Sequence, residues 1–344
     1  MNGRLEIEVA EEFDKVDLEA WTEVVGAAAA PVHYAPAYLR AYQASPLSPF
    51  GAVRYLTVRE SGRPVAVLPC YLQDRGDPYG ALAGAGLPAG PGPALLAHNW
   101  YCYDTRVPMV SLPTERRDRV LDATLDALAG QRQAVGAPLA GLVNVAGPDP
   151  VLAAARRGGW RIAPIVARYQ LPLDGLPSYE SYLVTLGSRT RRTIRQYLRR
   201  AADAGVTTST ERPHPALLRT VCTLSRETAA KYGSADMYPE QAFVDFVMGL
   251  GEHARVVRVD HGDRTVAAAV VLLDAERLHM WVGGTSHATV ASYSPNYLLW
   301  ATEIRTAIES GRQCVEGGRS NRPMKERHGM RELTLYACVT GTCG

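Results

Sequence analysis

Alternating apolar and polar residues predict two β-hairpins of the same design, one in each half of the chain. In Val53–Leu72 and Arg255–Leu273 a strand is followed by a tight polar turn and a second strand. The turns Glu-Ser-Gly-Arg and His-Gly-Asp-Arg are typical hairpin connections. At a constant offset, Val58, Val65 and Ala66 align with Val259, Val266 and Ala267.

Each hairpin is followed further along by an amphipathic helix and a short strand. In the first half these are predicted at Arg117–Gln131 and Leu142–Val145, and in the second half at Pro295–Glu309 and Gln313–Glu316. Ser294 is expected to cap the second helix. A duplicated unit of about 150 residues is the simplest explanation, with a chance resemblance of two hairpins as the alternative.

The region between the halves predicts a strand, four helices and a domain boundary. The strand is Trp160–Leu173, and the turn-forming segment LPLDGLPS places the boundary near residue 175. The sequence therefore predicts two domains, residues 1–174 and residues 175–344. The four helices are predicted at Ser178–Leu186, Arg189–Asp203, His214–Lys231 and Glu240–Leu250.

Composition excludes several classes of protein. The chain has 344 residues, 47% of them hydrophobic, which is enough for two domains with cores of their own. A net charge of +2 argues against nucleic-acid capture by the whole surface, so a basic function must be local. No apolar run reaches the length of a bilayer span, and the acidic N-terminus does not read as a signal peptide, which favours a cytoplasmic protein. Six scattered cysteines without a CxxC pair indicate neither a metal site nor a disulfide framework.

One predicted helix, SRTRRTIRQYLRRAADAG from Ser188 to Gly205, is unusually rich in arginine. We expect Ser188 to cap it. Like charges three and four residues apart destabilise an isolated helix, and a phosphate-rich partner would offset that cost. The alternative is a solvated helix whose arginines pair with acids elsewhere. The arginines are Arg189, Arg191, Arg192, Arg195, Arg199 and Arg200.

The segment GGRSNRPMKERHG, from Gly317 to Gly329, concentrates groups that bind anions. Its two leading glycines permit a conformation in which successive N–H groups turn toward an oxyanion or phosphate. Lys325 could supply a point positive charge to a developing oxyanion. A connecting loop with surface cations is the alternative. The candidate anion-binding residues are Gly317, Gly318, Arg319 and Ser320.

The order of these motifs resembles a known family. An arginine-rich helix is followed by further helices, the hairpin RVVRVDHGDRTVAAAVVLL, then MWVGGTS, SPNYLLW, GGRS and MKERHG. This order is similar to that of the Fem-type aminoacyl transferases and their relatives in the GNAT superfamily of N-acyltransferases, most clearly between Ser181 and Leu335. The resemblance implies an α/β (α+β) fold of two tandem GNAT-like domains, each a mixed, largely antiparallel sheet flanked by helices.

The resemblance also implies roles for particular residues. The first domain would receive the acceptor and the second would present the donor. Lys325 matches the lysine of a phenylalanine–lysine pair that stabilises the reacting carbonyl, with Met324 where an aromatic residue is common. Asp104 would orient or deprotonate the incoming amine. Residues expected to face phosphates are Arg189, Arg191, Arg192 and Arg195, and those expected to line the acceptor pocket are Trp100, Tyr101 and Tyr103.

Two donors and one non-catalytic role stay open. GNAT enzymes that use acetyl-CoA carry a Gln/Arg-x-x-Gly-x-Gly/Ala loop, which has no match after the second hairpin. Together with the arginine helix, this favours aminoacyl-tRNA as a co-substrate and no permanently bound cofactor. An acyl-CoA donor is the alternative, and an RNA-binding or scaffold module is the third. The helices between His214 and Leu250 are short, which favours a small-molecule amine acceptor in specialised metabolism over a cell-wall precursor.

Overall fold

The computed structural model describes residues 3–90, 92–230, 239–286 and 292–341. Within these ranges the chain forms twelve strands, eleven α-helices and three short 3-10 helices. The strands are β1 (Leu5–Ala10), β2 (Phe50–Glu60), β3 (Arg63–Gln73), β4 (Ala94–Ala97), β5 (Leu139–Ala146), β6 (Arg161–Pro172), β7 (Val206–Glu211), β8 (Ala254–His261), β9 (Arg264–Leu273), β10 (Arg277–Thr285), β11 (Cys314–Glu316) and β12 (Arg331–Gly341).

The helices agree closely with the predicted ones, although the predicted helix end at Lys231 lies outside the described residues. The α-helices are α1 (Leu18–Ala27), α2 (Pro36–Ala44), α3 (Ala81–Gly84), α4 (Thr114–Ala134), α5 (Val151–Arg157), α6 (Tyr179–Thr185), α7 (Ser188–Asp203), α8 (Pro215–Ala230), α9 (Glu240–Gly249), α10 (Pro295–Glu309) and α11 (Arg322–Arg327). The 3-10 helices are Phe13–Lys15, Val32–Tyr34 and Gly251–His253.

The chain folds as two compact units with the same strand order. The first unit is residues 1–167 with residues 333–344, and the second is residues 168–332. The first unit has the order β1-β2-β3-β4-β5-β12, and the second has β7-β8-β9-β10-β11-β6. In each unit the fourth and fifth strands are parallel, and the other described pairings are antiparallel. The predicted mixed, largely antiparallel sheets are confirmed.

The two hairpins share their register residue by residue. Val58 pairs with Ala66 in the first, and Val259 pairs with Ala267 in the second. In both hairpins the register shifts at the next position along the first strand, between Val58 and Arg59 and between Val259 and Asp260. A bulge at the same place in both copies is a specific feature of strand geometry, and it supports duplication over chance resemblance.

The sixth strand of each unit comes from the other half of the chain. β12 pairs with β5 in the first unit, and the end of β6 pairs with β11 in the second. The sequence placed the division between residues 174 and 175, whereas the compact units divide at 167/168 and assign residues 333–344 to the first. Hydrophobic patterning reveals that a strand exists but not which neighbour it pairs with, so the exchange was not foreseen.

Each unit has its own core. In the first, Leu121 and Leu125 of α4 pack among buried sheet residues such as Leu56 and Leu142. In the second, the ring of Trp281 on β10 lies 5.9 Å from that of Phe243 and 5.5 Å from that of Phe246, both on α9. Among the described residues, no helix is both long enough and apolar enough to cross a membrane.

Two predicted helix caps are not formed. Helix α7 begins at Ser188 itself, with Gly187 as the N-cap and no side-chain cap bond. Ser294 does hold the N-cap position of α10, but its side chain makes no cap hydrogen bond. Pro295 at the start of α10 has no N–H to satisfy, which reduces the need for a capping acceptor. The segment predicted as a loop from Gly317 to Gly329 contains the short helix α11.

Candidate active site

Lys325 lies on α11 and is buried, with 3% of its surface exposed. Asn321 precedes the helix in a left-handed conformation, with φ of 62°. Its carbonyl accepts a hydrogen bond from the N–H of Lys325 at 3.2 Å, and the Lys325 carbonyl accepts one from Met330 N–H at 3.0 Å. The backbone around Lys325 is therefore held on both sides.

Lys325 lines a cavity of about 220 Å³ in the second unit. The cavity forms where two parallel strands stop pairing: β10 and β11 are paired only from Arg277 to His279, and β10 continues to Thr285. A bulge between Met280 and Val282 lies in the same stretch of β10. The lining residues are Thr228, Ala269, Met280, Trp281, Val282, Gly283, Gly284, Thr285, Asn296, Leu299, Trp300, Glu303, Gly317, Ser320, Asn321 and Lys325.

The two glycines of MWVGGTS allow a helix to approach β10 at the cavity wall. A Cβ atom on Gly284 would lie 2.0 Å from the carbonyl oxygen of Leu224 in α8, and one on Gly283 would lie 2.6 Å from the Cβ of Ala269. Thr228, one turn beyond Leu224, accepts a hydrogen bond from the N–H of Thr285 at 3.3 Å. Glycine at 284 is therefore required for α8 to form this wall.

The electrostatic environment of Lys325 favours loss of its proton. Burial lowers its pKa to about 7, and the positive charge of Arg319 contributes in the same direction. The ammonium lies 5.0 Å from the ring centroid of Tyr169, a contact that favours the charged form but does not outweigh burial. Among the described residues, no ion pair or hydrogen bond engages the ammonium, which leaves its charge available to a group in the cavity.

Glu303 is a second ionisable group in the cavity, and the sequence analysis missed it. It lies on α10, is 3% exposed, and burial raises its pKa to about 8. Asn296, Leu299 and Glu303 fall at three- and four-residue spacing, so they share one face of the helix. An acid four residues after a core leucine was the available signal, and it was passed over because the apolar stripe around it predicted core.

His328 fixes α11 against α10. Its ring lies 4.9 Å from that of Trp300 and 5.3 Å from that of Tyr297. Burial lowers the pKa of His328, which favours the neutral ring, and its Nδ1 lies 2.8 Å from the Met324 carbonyl oxygen. These contacts replace the aromatic packing that the family pattern places at Met324, whose sulfur instead lies 3.8 Å from the Asn296 side-chain nitrogen.

The predicted anion-binding pair of glycines is only partly available. The N–H of Gly317 donates to the Tyr169 carbonyl at 2.8 Å, and the Gly318 carbonyl accepts from Tyr169 N–H at 3.1 Å. Gly317 thus extends the strand pairing and cannot donate to a phosphate, which corrects that expectation. Its lack of a side chain leaves room for Met330, whose sulfur would lie 2.4 Å from a Cβ there. Ser320 lines the cavity, and Arg319 is half-buried near Lys325.

The arginine helix presents a groove of about 510 Å³ lined by Ser188, Arg191, Arg192, Arg195, Gln196 and Arg199. Two of these arginines are engaged within the second unit. Arg191 donates to the Val184 carbonyl at 3.0 Å, and Arg195 pairs with Glu180 at 2.7 Å. Arg192 and Arg199 are exposed and have no side-chain partner within the described ranges, and Arg189 is exposed outside the groove. Two of the four predicted phosphate-binding arginines are thus partly occupied.

Helix α7 packs directly against the helix that lines the cavity. The ring of Tyr197 on α7 lies 5.0 Å from the ring of Tyr297 on α10, and Tyr297 in turn contacts His328. Arg200 adds a hydrogen bond of 3.1 Å to the carbonyl of Ser292, just before α10. The arginine groove and the Lys325 cavity therefore belong to one packed group of helices.

The residues predicted to bind the acceptor belong to the first unit, and none of them lines the Lys325 cavity. Asp104 is buried in an ion pair with Arg106. The indole N–H of Trp100 donates to the Gly76 carbonyl at 3.1 Å, and the hydroxyl of Tyr101 donates to the Leu47 carbonyl at 3.3 Å. These bonds fix the local chain, while Tyr103 is half-buried beside them.

The cysteines are poor nucleophiles, and no metal-binding group is apparent. Burial raises the pKa of Cys222 to about 11 and that of Cys314 and Cys338 to about 12, which disfavours the reactive thiolate. Cys343 lies outside the described residues. Over the described ranges, no group of three or more His, Cys, Asp or Glu side chains could hold a metal ion.

Comparison with known proteins identifies the second-unit fold. Residues 188–326 match the family model of an acetyltransferase (GNAT) domain. No curated protein sequence gives a significant match. Among solved structures, FemX is similar with a TM-score of 0.67 and 12% identity, covering 96% of each chain.

Two further solved structures share the fold. A tandem GNAT protein from the clavulanic acid biosynthesis pathway has a TM-score of 0.57 and 16% identity, covering 98% of each chain. The C-terminal domain of a lysylphosphatidylglycerol synthetase from Agrobacterium fabrum has a TM-score of 0.58 and 12% identity, covering 94% of this chain and 90% of that one. The chain therefore has the double-domain architecture of the Fem-type and tandem GNAT proteins, with a GNAT acetyltransferase domain at residues 188–326.

Proposed function

We propose that the protein is an N-acyltransferase that transfers an amino acid from aminoacyl-tRNA to the amine of a small molecule. The observation that carries the proposal is the buried, unpaired ammonium of Lys325 in a cavity of the GNAT domain. A positive charge held in a site of low dielectric stabilises a developing oxyanion far better than the same charge in water.

The chemistry needs no covalent enzyme intermediate. The acceptor amine attacks the ester carbonyl of the donor, the carbonyl oxygen becomes an oxyanion beside Lys325, and the tetrahedral adduct collapses to an amide. The departing ribose oxygen of the tRNA takes the proton that the attacking nitrogen loses. Positioning and charge stabilisation are sufficient for such aminolysis, in keeping with the protonated state of the buried cysteine thiols.

The arginine groove supports a tRNA donor. Arg192 and Arg199 present guanidinium groups that are not occupied by acids in the described part of the chain. Guanidinium groups bind phosphate oxygens in a fork-like geometry, and the helix that carries them packs against α10 at the cavity. The likeness to FemX supports the same donor class.

The cavity supports a small acceptor. Its volume of about 220 Å³ suits a compact amine better than a lipid-linked cell-wall precursor. The similar tandem GNAT protein from the clavulanic acid pathway supports an acceptor from specialised metabolism, such as antibiotic biosynthesis. A cell-wall precursor is the alternative acceptor.

A donor test separates the possibilities. The protein is incubated with a mixture of charged tRNAs and a panel of small amines, with and without ribonuclease, and the products are weighed by mass spectrometry. We expect an aminoacylated amine that disappears after ribonuclease treatment. Amide formation that survives complete removal of tRNA would contradict the tRNA donor.

An acyl-CoA donor is the second candidate. Two observations favour it: the match to an acetyltransferase (GNAT) domain, and the likeness to a tandem GNAT protein whose structure is described with reference to AcCoA. Calorimetric titration with acetyl-CoA and longer acyl-CoAs tests this donor directly. Binding accompanied by acyl transfer supports it, and absence of binding at millimolar ligand excludes it. If neither donor supports transfer while RNA still binds, the protein is a non-catalytic RNA-binding module.

A further inference from the structure

Glu303 is a buried acid with no ion pair or hydrogen bond to any described residue. It faces the same cavity as Lys325, and these two are the only ionisable side chains among the lining residues. An unpaired buried carboxylate is costly, so it either stays neutral or meets a cation. Because the Glu303 side chain faces a cavity, a ligand can provide that cation.

The surroundings of Glu303 suit an alkylammonium group. Trp281 and Trp300 bring aromatic rings to the cavity, and aromatic faces attract cations. Asn296, two turns before Glu303 on the same helix, contributes an amide that can bind a polar group of the ligand. A carboxylate, two indoles and an amide around about 220 Å³ form a set that recognises a compact amine.

We propose that Glu303 receives the ammonium of the acceptor and takes its proton, so that the acceptor is a compact primary alkylamine that enters as a cation. This inference rests on the proposed acyl transfer. It assigns the proton acceptor to the GNAT domain itself and not to Asp104, whose carboxylate is already paired with Arg106.

The proton balance follows from this assignment. The bound ammonium gives one proton to the Glu303 carboxylate and becomes a neutral amine. The amine adds to the donor carbonyl, the C–O bond to the leaving group breaks, and the second nitrogen proton passes to the leaving oxygen. Glu303 then releases its proton to solvent, so one amide, one free hydroxyl and one proton are produced.

The raised pKa of Glu303, about 8, agrees with this role. A base works best when its pKa lies near the working pH and close to that of the group it deprotonates. An ordinary exposed carboxylate is too weak a base to hold a proton taken from an alkylammonium. Burial of Glu303 narrows that difference.

The test compares two small amines of similar size, ethylamine and methoxyamine, with the donor that supports turnover, charged tRNA or acetyl-CoA. Ethylamine is protonated at neutral pH and needs a base, whereas methoxyamine is already neutral. In Glu303→Gln we expect kcat/KM for ethylamine to fall roughly 10²- to 10⁴-fold. For methoxyamine the change should stay within about 3-fold, since no proton has to be removed before attack.

Two further variants sharpen the comparison. Glu309→Gln removes an exposed carboxylate from the end of the same helix and should leave both rates unchanged. Glu303→Asp keeps a carboxylate in the cavity and should recover part of the ethylamine rate. Transfer by Glu303→Gln that is equally slow, or equally fast, with both amines overturns the assignment. Wild-type protein that transfers to no amine overturns the proposed function as well, which separates the two failures.

Discussion

The ammonium of Lys325 lies 5.0 Å from the ring centroid of Tyr169, and the hydroxyl of Tyr169 donates to Glu332 at 2.9 Å. The ring favours the charged lysine, while burial favours the neutral one and dominates, which brings the pKa of Lys325 to about 7. A lysine balanced near neutral pH can carry its charge in the reaction and respond to small changes around it.

We expect Tyr169→Leu to lower the pKa of Lys325 further, because the cation–π contact is lost, worth about 0.5–2 kcal/mol. Tyr169→Phe keeps the ring and should leave that pKa nearly unchanged. The chain has three lysines, Lys15, Lys231 and Lys325, so lysine-selective labelling gives a simple NMR titration. An equal pKa in wild type and Tyr169→Leu would show that the ring does not stabilise the ammonium.

Burial of Lys325 should make stability depend on pH. The folded protein releases this proton near pH 7, whereas the unfolded chain keeps it to its ordinary pKa of 10.5. Between these values the unfolded state binds more protons, so this lysine destabilises the fold most below pH 7 and progressively less as pH rises to 10.5.

Lys325→Met should therefore raise the free energy of unfolding, by up to about 5 kcal/mol below pH 7. The gain over wild type should shrink toward pH 10. Denaturant titrations at pH 6 and pH 10 measure both values. A gain that is the same at the two pH values would mean that Lys325 does not titrate as its burial implies.

Arg192 and Arg199 should contribute to RNA binding because their guanidinium groups are exposed in the groove. In Arg192→Ala/Arg199→Ala we expect at least ~10-fold weaker tRNA binding, with a salt dependence reduced by about 0.9 per lost phosphate contact. Fluorescence titrations at several salt concentrations measure both quantities. Arg212→Ala is the control, since Arg212 is exposed and paired with Glu252 at 2.8 Å. Unchanged affinity in the double variant would remove the groove from the RNA-binding surface.

Gly284→Ala should destabilise the second unit by about 1–3 kcal/mol, because its methyl group would meet the Leu224 carbonyl at 2.0 Å. The midpoint of urea unfolding measures the loss. Gly130→Ala on α4 is a matched control, since an added Cβ there meets no atom within 4 Å. That control should gain about 0.5–1 kcal/mol from helix propensity. A Gly284→Ala protein as stable as wild type would show that α8 does not pack as described.

The sequence predicted the parts of the fold that depend on local patterning. The hairpins, the arginine helix and α10 all appear close to their predicted positions, because periodicity and turn chemistry are local properties. The exchange of β6 and β12 between units was not predictable, since strand pairing is decided by contacts far apart in sequence.

The site shows the same division. Lys325 was singled out from its motif, and the structure places it in a cavity. Glu303 was missed because it interrupts an apolar stripe, and only tertiary packing shows that this face of α10 borders a cavity. The Gly317 N–H was assigned to anions because its bond to the Tyr169 carbonyl depends on a strand more than a hundred positions away.

The most direct test of the proposed function is the transfer rate of Lys325→Met, measured with the donor and amine that wild type uses. Removal of a single oxyanion-stabilising group costs about 10²–10³ in kcat, and we expect a loss of that size with KM changed less than about 3-fold. Lys15→Met removes an exposed lysine as a control and should behave as wild type. An unchanged kcat in a folded Lys325→Met protein would contradict the assignment of Lys325 to the oxyanion.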